Sequence, residues 1–181
     1  MLAWQGRFSR CYIPEGVWAE LRGYTVVRCQ QKRKLNAARN NLAAILDEYF
    51  PEYYGVFKEP LGKASLHVLT HFPFPMDIAR LTEAELAQEM KKATQNRVGE
   101  KRATLLFSKA RMSVGVKEGL AAARLRLSHC LSEISFYREQ LAQTEAAMED
   151  ALGRTGIADI LLSIRGIGVV TLASLLGEIG D

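Results

Sequence analysis

A chain of 181 residues, 48% of them apolar and 24% charged, has an ordinary globular composition and is not disordered throughout. Its net charge is only +4, but the charge is unevenly spread: residues 1–50 hold eight Lys/Arg against four acids, residues 91–111 seven against one, and residues 133–159 two against six. Three cysteines without a close pair (Cys11, Cys29, Cys130) argue against a disulfide framework or a CxxC metal site, and no apolar run approaches the ~20 residues of a membrane span, so a reduced, cytoplasmic protein is expected.

Ile13-Pro14-Glu15-Gly16 reads as a turn or helix entry. A long helix is predicted over residues 17–50, ended by Pro51. Leu21, Arg28, Leu35, Leu42 and Tyr49 repeat every seven residues, with Tyr24, Gln31, Ala38 and Ile45 at the offset of three. This is the a/d seam of a coiled coil, interrupted by polar groups at Arg28 and Gln31.

Residues 53–75 form a Gly- and Pro-punctuated connection with one short apolar helix near Lys63–His71. Thr82 and Glu85 have the capping-box spacing and open a helix to about Ala93. Asn96–Gly99 reads as a loop, and a basic helix follows over about 101–112. The longest helix is expected over 114–153 with Ser113 as its cap. In it Leu120, Leu127, Ile134, Leu141 and Met148 repeat every seven residues, with Ala123, Cys130, Tyr137, Thr144 and Ala151 three further on. No strand pattern competes, so the class is all-α. The two heptad helices fit antiparallel arms of one chain, and packing against a second chain fits the same pattern.

The last 28 residues, 154–181, read as a separate element after a coiled-coil region over 1–153. Ile160, Leu161, Ile164 and Ile167 make an apolar stripe, Gly166-Ile167-Gly168 breaks the helix, and Val170, Leu172, Leu175, Leu176 and Ile179 resume the period. This is the pattern of a helix-hairpin-helix. Its glycines permit a left-handed or crowded backbone and leave amide groups bare at the start of the next helix, where a phosphate can sit. A plain αα-hairpin whose glycines only allow close packing has the same pattern. A dinucleotide fingerprint lacks its third glycine and its preceding strand.

Arg28, Lys32, Arg33, Lys34 and Arg39 lie along the first long helix; Lys101, Arg102, Lys109 and Arg111 lie on the basic helix. With Arg165, Gly166, Ile167 and Gly168 they form the candidate nucleic-acid-binding set. Few aromatics interleave with them, so contact with the phosphate backbone is expected rather than base readout. His67 and His71, four apart, share a helix face, but Val68 stands where a zinc-protease motif needs Glu, and a packed or surface pair is the expectation. Asp47, Glu48 and Glu52 read as a solvated helix end.

The stretches FSRCYIPEGVWAELR, ILDEYFPEYYGVFKEPLGKASLHVLTHFPFPMDIARL and LLSIRGIGVVTLASLLGEIGD, in that order, resemble the middle of a transposase of the insertion-sequence one-ten family (the IS-one-ten, IS-one-sixteen and IS-nine-zero-two group). The resemblance covers nearly the whole chain. It implies a three-part recombinase guided by a structured RNA from the element. An N-terminal RuvC-like domain would bind divalent metal through four acids, a coiled-coil region would follow, and a C-terminal transposase domain would begin at the Gly-Ile-Gly hairpin and later supply a serine nucleophile. The acids are expected upstream of this chain and the serine downstream, so no catalytic residue and no cofactor is assigned here. Ser113, Ser163 and Ser174 are not candidates. The expected role is a scaffold and dimerisation region of a DNA-recombining, nucleic-acid-binding enzyme, inactive alone. The alternatives are a stand-alone nucleic-acid-binding helical protein and a pure oligomerisation module.

Overall fold

The structure is a computed structural model that describes residues 13–95 and 100–180. The loop expected over Asn96–Gly99, and Cys11, lie outside the described residues. Eight α-helices are found among them: α1 (Gly16–Tyr49), α2 (Lys63–His71), α3 (Pro75–Ile78), α4 (Glu83–Thr94), α5 (Glu100–Arg111), α6 (Leu120–Gly153), α7 (Ala158–Leu162) and α8 (Val169–Ile179). The all-α expectation holds. None of these helices is long and apolar enough to cross a membrane.

The described residues form two compact units. Residues 13–36 and 135–180 make the first, so it contains the start of α1, the end of α6, and α7 and α8. Leu21, Met148, Ala151, Leu152, Leu172, Ala173 and Leu176 are buried at its centre. The α1 and α6 segments run antiparallel. Glu20 pairs with Arg154, Arg28 Nε lies 2.8 Å from Glu145 Oε1, and Lys34 Nζ stands 5.9 Å from the Tyr137 ring centroid. As the number rises on one helix it falls on the other.

The polar interruptions of the seam are now explicit. Arg28 is half-buried and neutralised by Glu145 across the seam. Gln31 Oε1 is buried without a hydrogen-bond partner, so this layer lacks the polar pairing that its neighbour has.

Residues 37–134 make the second unit: the end of α1, a 3-10 turn at Pro51–Gly55, α2 to α5, and the start of α6. Here too the long helices are antiparallel, with Cys130 Sγ donating to Ala38 O at 3.1 Å and Arg126 Nη1 3.2 Å from Glu48 Oε2. Phe50, Tyr53, Phe74, Ile78, Leu86, Met90, Leu106 and Leu127 are fully buried. Each contributes roughly 1.5–3 kcal/mol over its exposed state. The Tyr53 hydroxyl reaches Ser65 Oγ at 2.7 Å and donates to Ser65 O at 3.1 Å, so this deep phenol is satisfied.

In both units the predicted a and d positions are buried or half-buried. The seam is therefore filled within the chain, and the heptad pattern no longer speaks for a second one. The bounds of α1 and α2 agree with the expectation, and the Thr82–Glu85 capping box is present, with Thr82 N donating to Glu85 Oε2 at 2.7 Å and Glu85 N to Thr82 Oγ1 at 3.2 Å.

One boundary is corrected. The last long helix begins at Leu120, not at Val114, and Ser113 does not cap it. Gly115 and Gly119 disfavour helix between them, and Gly119 takes φ +68°. The segment instead lies along the end of α1. Val116 N donates to Glu48 O at 3.0 Å, Val114 N to Glu52 Oε1 at 3.0 Å, and Ser113 Oγ to Glu52 Oε2 at 2.6 Å.

Candidate nucleic-acid interface

The candidate cations divide between the units. In the first, Lys32, Arg33 and Lys34 are exposed on α1, on the turns that follow the Arg28–Glu145 pair. They sit at positions between the a and d residues, which is why the helix turns them outward. Arg28 itself is drawn into the seam by Glu145 and presents less charge to solvent than its neighbours.

In the second unit Arg39 is exposed on α1. Helix α5 buries Ala103, Leu106 and Ala110, spaced three and four apart, and so exposes Lys101, Arg102, Lys109 and Arg111. Two of these lean on aromatic faces: Arg102 Cζ is 5.7 Å from the Phe57 ring centroid and Arg111 Cζ 5.9 Å from that of Phe107. Lys58 and Lys63, which the sequence did not single out, join Arg102 around an open cleft of about 570 Å³. The available signal was a lysine on either side of Gly62, the residue before α2.

The Gly166-Ile167-Gly168 turn joins α7 to α8. Gly166 has φ +98°, a conformation that side chains other than glycine seldom adopt, while Gly168 caps α8 with φ −97° and ψ 164°. A Cβ built at either would meet nothing within 4 Å, so neither glycine is there for close packing. Ile167, half-buried, packs against the Leu21 cluster, and Arg165 beside the turn is exposed. The first amides of α8 have no acceptor within the helix by its geometry.

The other candidates have local roles. His67 Nε2 is 3.1 Å from Glu89 Oε2, joining α2 to α4, and its ring lies against that of His71, centroids 4.3 Å apart. Lys92 and then His67 hold the Glu89 carboxyl below its ordinary value. Among the described residues no three His, Cys, Asp or Glu side chains gather as a metal site. Cys29 is an exposed and Cys130 a buried free thiol; burial, then the nearby Glu133 charge, push the Cys130 thiol up.

Glu52 is structural. Burial pushes its carboxyl up, but the hydrogen bonds from Ser113 and Val114 outweigh this and hold it below the ordinary 4.5. A carboxylate depressed in the folded state adds stability above its unfolded value, and that stability is lost as pH falls through the folded value. Glu52→Gln is therefore expected to destabilise the protein by about 1 kcal/mol at neutral pH, allowing for solvent screening at a half-exposed site. The deficit should shrink as urea unfolding is repeated at pH values falling below 4.5. A deficit unchanged across that range would deny the charge a role.

Helical units that turn unpaired lysines and arginines outward define a helical protein with a basic surface. Comparison narrows this. Over 86% of its length the chain is similar, at 28% identity, to the "Mini-circle putative transposase for IS117" of Streptomyces coelicolor (strain ATCC BAA-471 / A3(2) / M145). The chain spans 40% of that relative's length. No protein-family profile matches the chain, and neither does any solved structure. The resemblance read in the sequence thus holds at the level of an insertion-sequence transposase.

Proposed function

We propose that this chain is a helical scaffold region of an insertion-sequence transposase and that it grips nucleic acid through backbone phosphates. The observation that carries the reading is the set of exposed cations, Lys32, Arg33, Arg39, Lys101 and Arg165, that have no carboxylate within ion-pair distance among the described residues. Cations left unpaired on rigid helices can neutralise phosphates without first breaking an internal pair. The similarity to a transposase supports nucleic acid as the class of ligand. DNA is the first candidate, and structured RNA encoded by the element is the second. The bare amides at the start of α8, beside Arg165, are offered as a further phosphate contact.

Within this proposal the intact enzyme cuts and rejoins DNA in the cytoplasm, and the present residues position rather than catalyse. Association of protomers, also part of the proposal, cannot use the heptad seam, which is filled. It has the exposed apolar side chains Val26, Val27, Leu175 and Ile179 of the first unit in its support.

The test is charge reversal at two exposed neighbours, R33E/K34E. Binding of labelled duplex, single strand and structured RNA should fall at least about tenfold, with a shallower salt dependence, while the helical circular dichroism is retained. Equal binding by the variant and the wild type would remove α1 from the interface.

A further inference from the structure

Resting on the nucleic-acid reading above, we propose that the cleft of the second unit lined by Lys58, Lys63 and Arg102 is the seat of one backbone phosphate of the bound strand. Its volume, about 570 Å³, is that of a ligand site, and it could admit a nucleotide. Its walls come from four places in the chain: the connection after the 3-10 turn, the start of α2, the end of α4 and the start of α5.

Three cations converge on it from three of those places. None has a carboxylate within ion-pair distance among the described residues. The one acid in the lining, Glu59, turns an oxygen to its own loop and accepts from Leu61 N at 3.2 Å. Arg102 stands against the Phe57 ring, which limits where its guanidinium can go and favours a defined donor over a freely moving one.

Three unpaired cations facing one concavity repel each other, and an anion between them removes that cost. The wall at α2 adds in the same sense, since Gly62 gives the helix no side-chain cap and Ala64 and Ser65 of its first turn, whose amides lack an acceptor within the helix, line the cleft. The lining at Ala93–Gln95 is the C-terminal end of α4, where the last carbonyl oxygens of a helix lack intrahelical donors. It disfavours an anion and so sets the phosphate on the α2–α5 side, leaving acceptors for the donor groups of a sugar or base. A lone inorganic anion would leave that second wall unused.

The experiment compares wild type, K63Q/R102Q and R33E/K34E for binding of a labelled short duplex over a range of salt. In parallel, the Ala64 and Ser65 amides of the wild type are followed by NMR with the duplex and, separately, with inorganic pyrophosphate. Lys63 and Arg102 are both exposed, so the double variant should fold, and K63R/R102K should restore its binding. We expect K63Q/R102Q to bind roughly tenfold more weakly, equally for unrelated sequences, with the salt slope shallower by about one. The two amides should move with duplex. If K63Q/R102Q binds as the wild type does while R33E/K34E fails, the cleft is wrong and the wider reading stands. If the wild type binds no duplex, single strand or RNA, both are wrong. If pyrophosphate fills the site as tightly as duplex does, the cleft is a small-anion site and strand docking is overturned.

Discussion

Gly115→Ala is expected to destabilise the protein by about 3 kcal/mol and to lower its melting temperature by roughly 6–12 °C. A Cβ at this position would fall inside contact distance of the Tyr49 carbonyl oxygen, 2.5 Å from its carbon and 3.1 Å from Phe50 N. All three are backbone atoms at the end of α1, and no rotamer change relieves the overlap. The 113–119 segment would have to lift away, weakening the Val116 N bond to Glu48 O and both bonds to Glu52. Tyr49 and Phe50, buried beneath it, would be uncovered. Thermal unfolding followed by circular dichroism checks this. A midpoint within a degree of the wild type would mean that the segment moves aside at no cost.

The second large effect falls in the other unit. A Cβ on Gly177 of α8 would stand 2.7 Å from Arg22 N, 2.9 Å from Arg22 Cα and 3.0 Å from Leu21 C, again backbone of α1. Helix α8 rests its backbone on α1 there, and Leu172, Ala173 and Leu176 reach the core cluster as a result. Gly177→Ala should cost about 2 kcal/mol by prising α8 off that cluster. Gly23 is the control. It lies inside α1, and a Cβ there meets nothing within 4 Å, so Gly23→Ala should stabilise by about 0.5–1 kcal/mol through helix propensity alone. Urea unfolding of the two variants should move the midpoint in opposite directions. A shift in the same direction would mean that the two glycines do not differ in the way their surroundings indicate.

Gly115 and Gly177 mark the limit of what a sequence discloses. Periodicity is local, so the seam positions from Leu21 to Tyr49 and from Leu120 to Ala151 are legible from residue spacing alone, and the capping box at Thr82 likewise. Antiparallel packing within the chain could only be narrowed to one of two arrangements, because an a/d stripe is the same whichever helix fills it. The contact of Gly115 with Tyr49 joins residues far apart in sequence, and nothing near either one encodes it. The helix start expected at Val114 had a local warning in Gly115 and Gly119, four apart, which a strong downstream heptad outweighed. In the hairpin the pattern of Gly166 and Gly168 was legible, and the positive φ of Gly166 agrees with the left-handed backbone that glycine permits, whereas the packing glycine of that element is Gly177.

The basic surface was legible residue by residue but not as an arrangement. Arg28 looked equivalent to Arg33 until Glu145, 117 residues away, was placed beside it. Lys58 and Lys63 belong to a Pro- and Gly-rich connection with no periodicity, and only its folding brings them to Arg102.

Nucleic-acid contact is read out by the anisotropy of labelled duplex DNA titrated with the unmodified chain at about 50 and about 200 mM salt. Contact through several phosphates predicts binding at the lower salt that weakens by orders of magnitude at the higher, equally for unrelated sequences. Absence of binding at the lower salt to duplex, and to single strand and structured RNA in the same assay, would contradict it, and the exposed cations would then be no more than a solvated face.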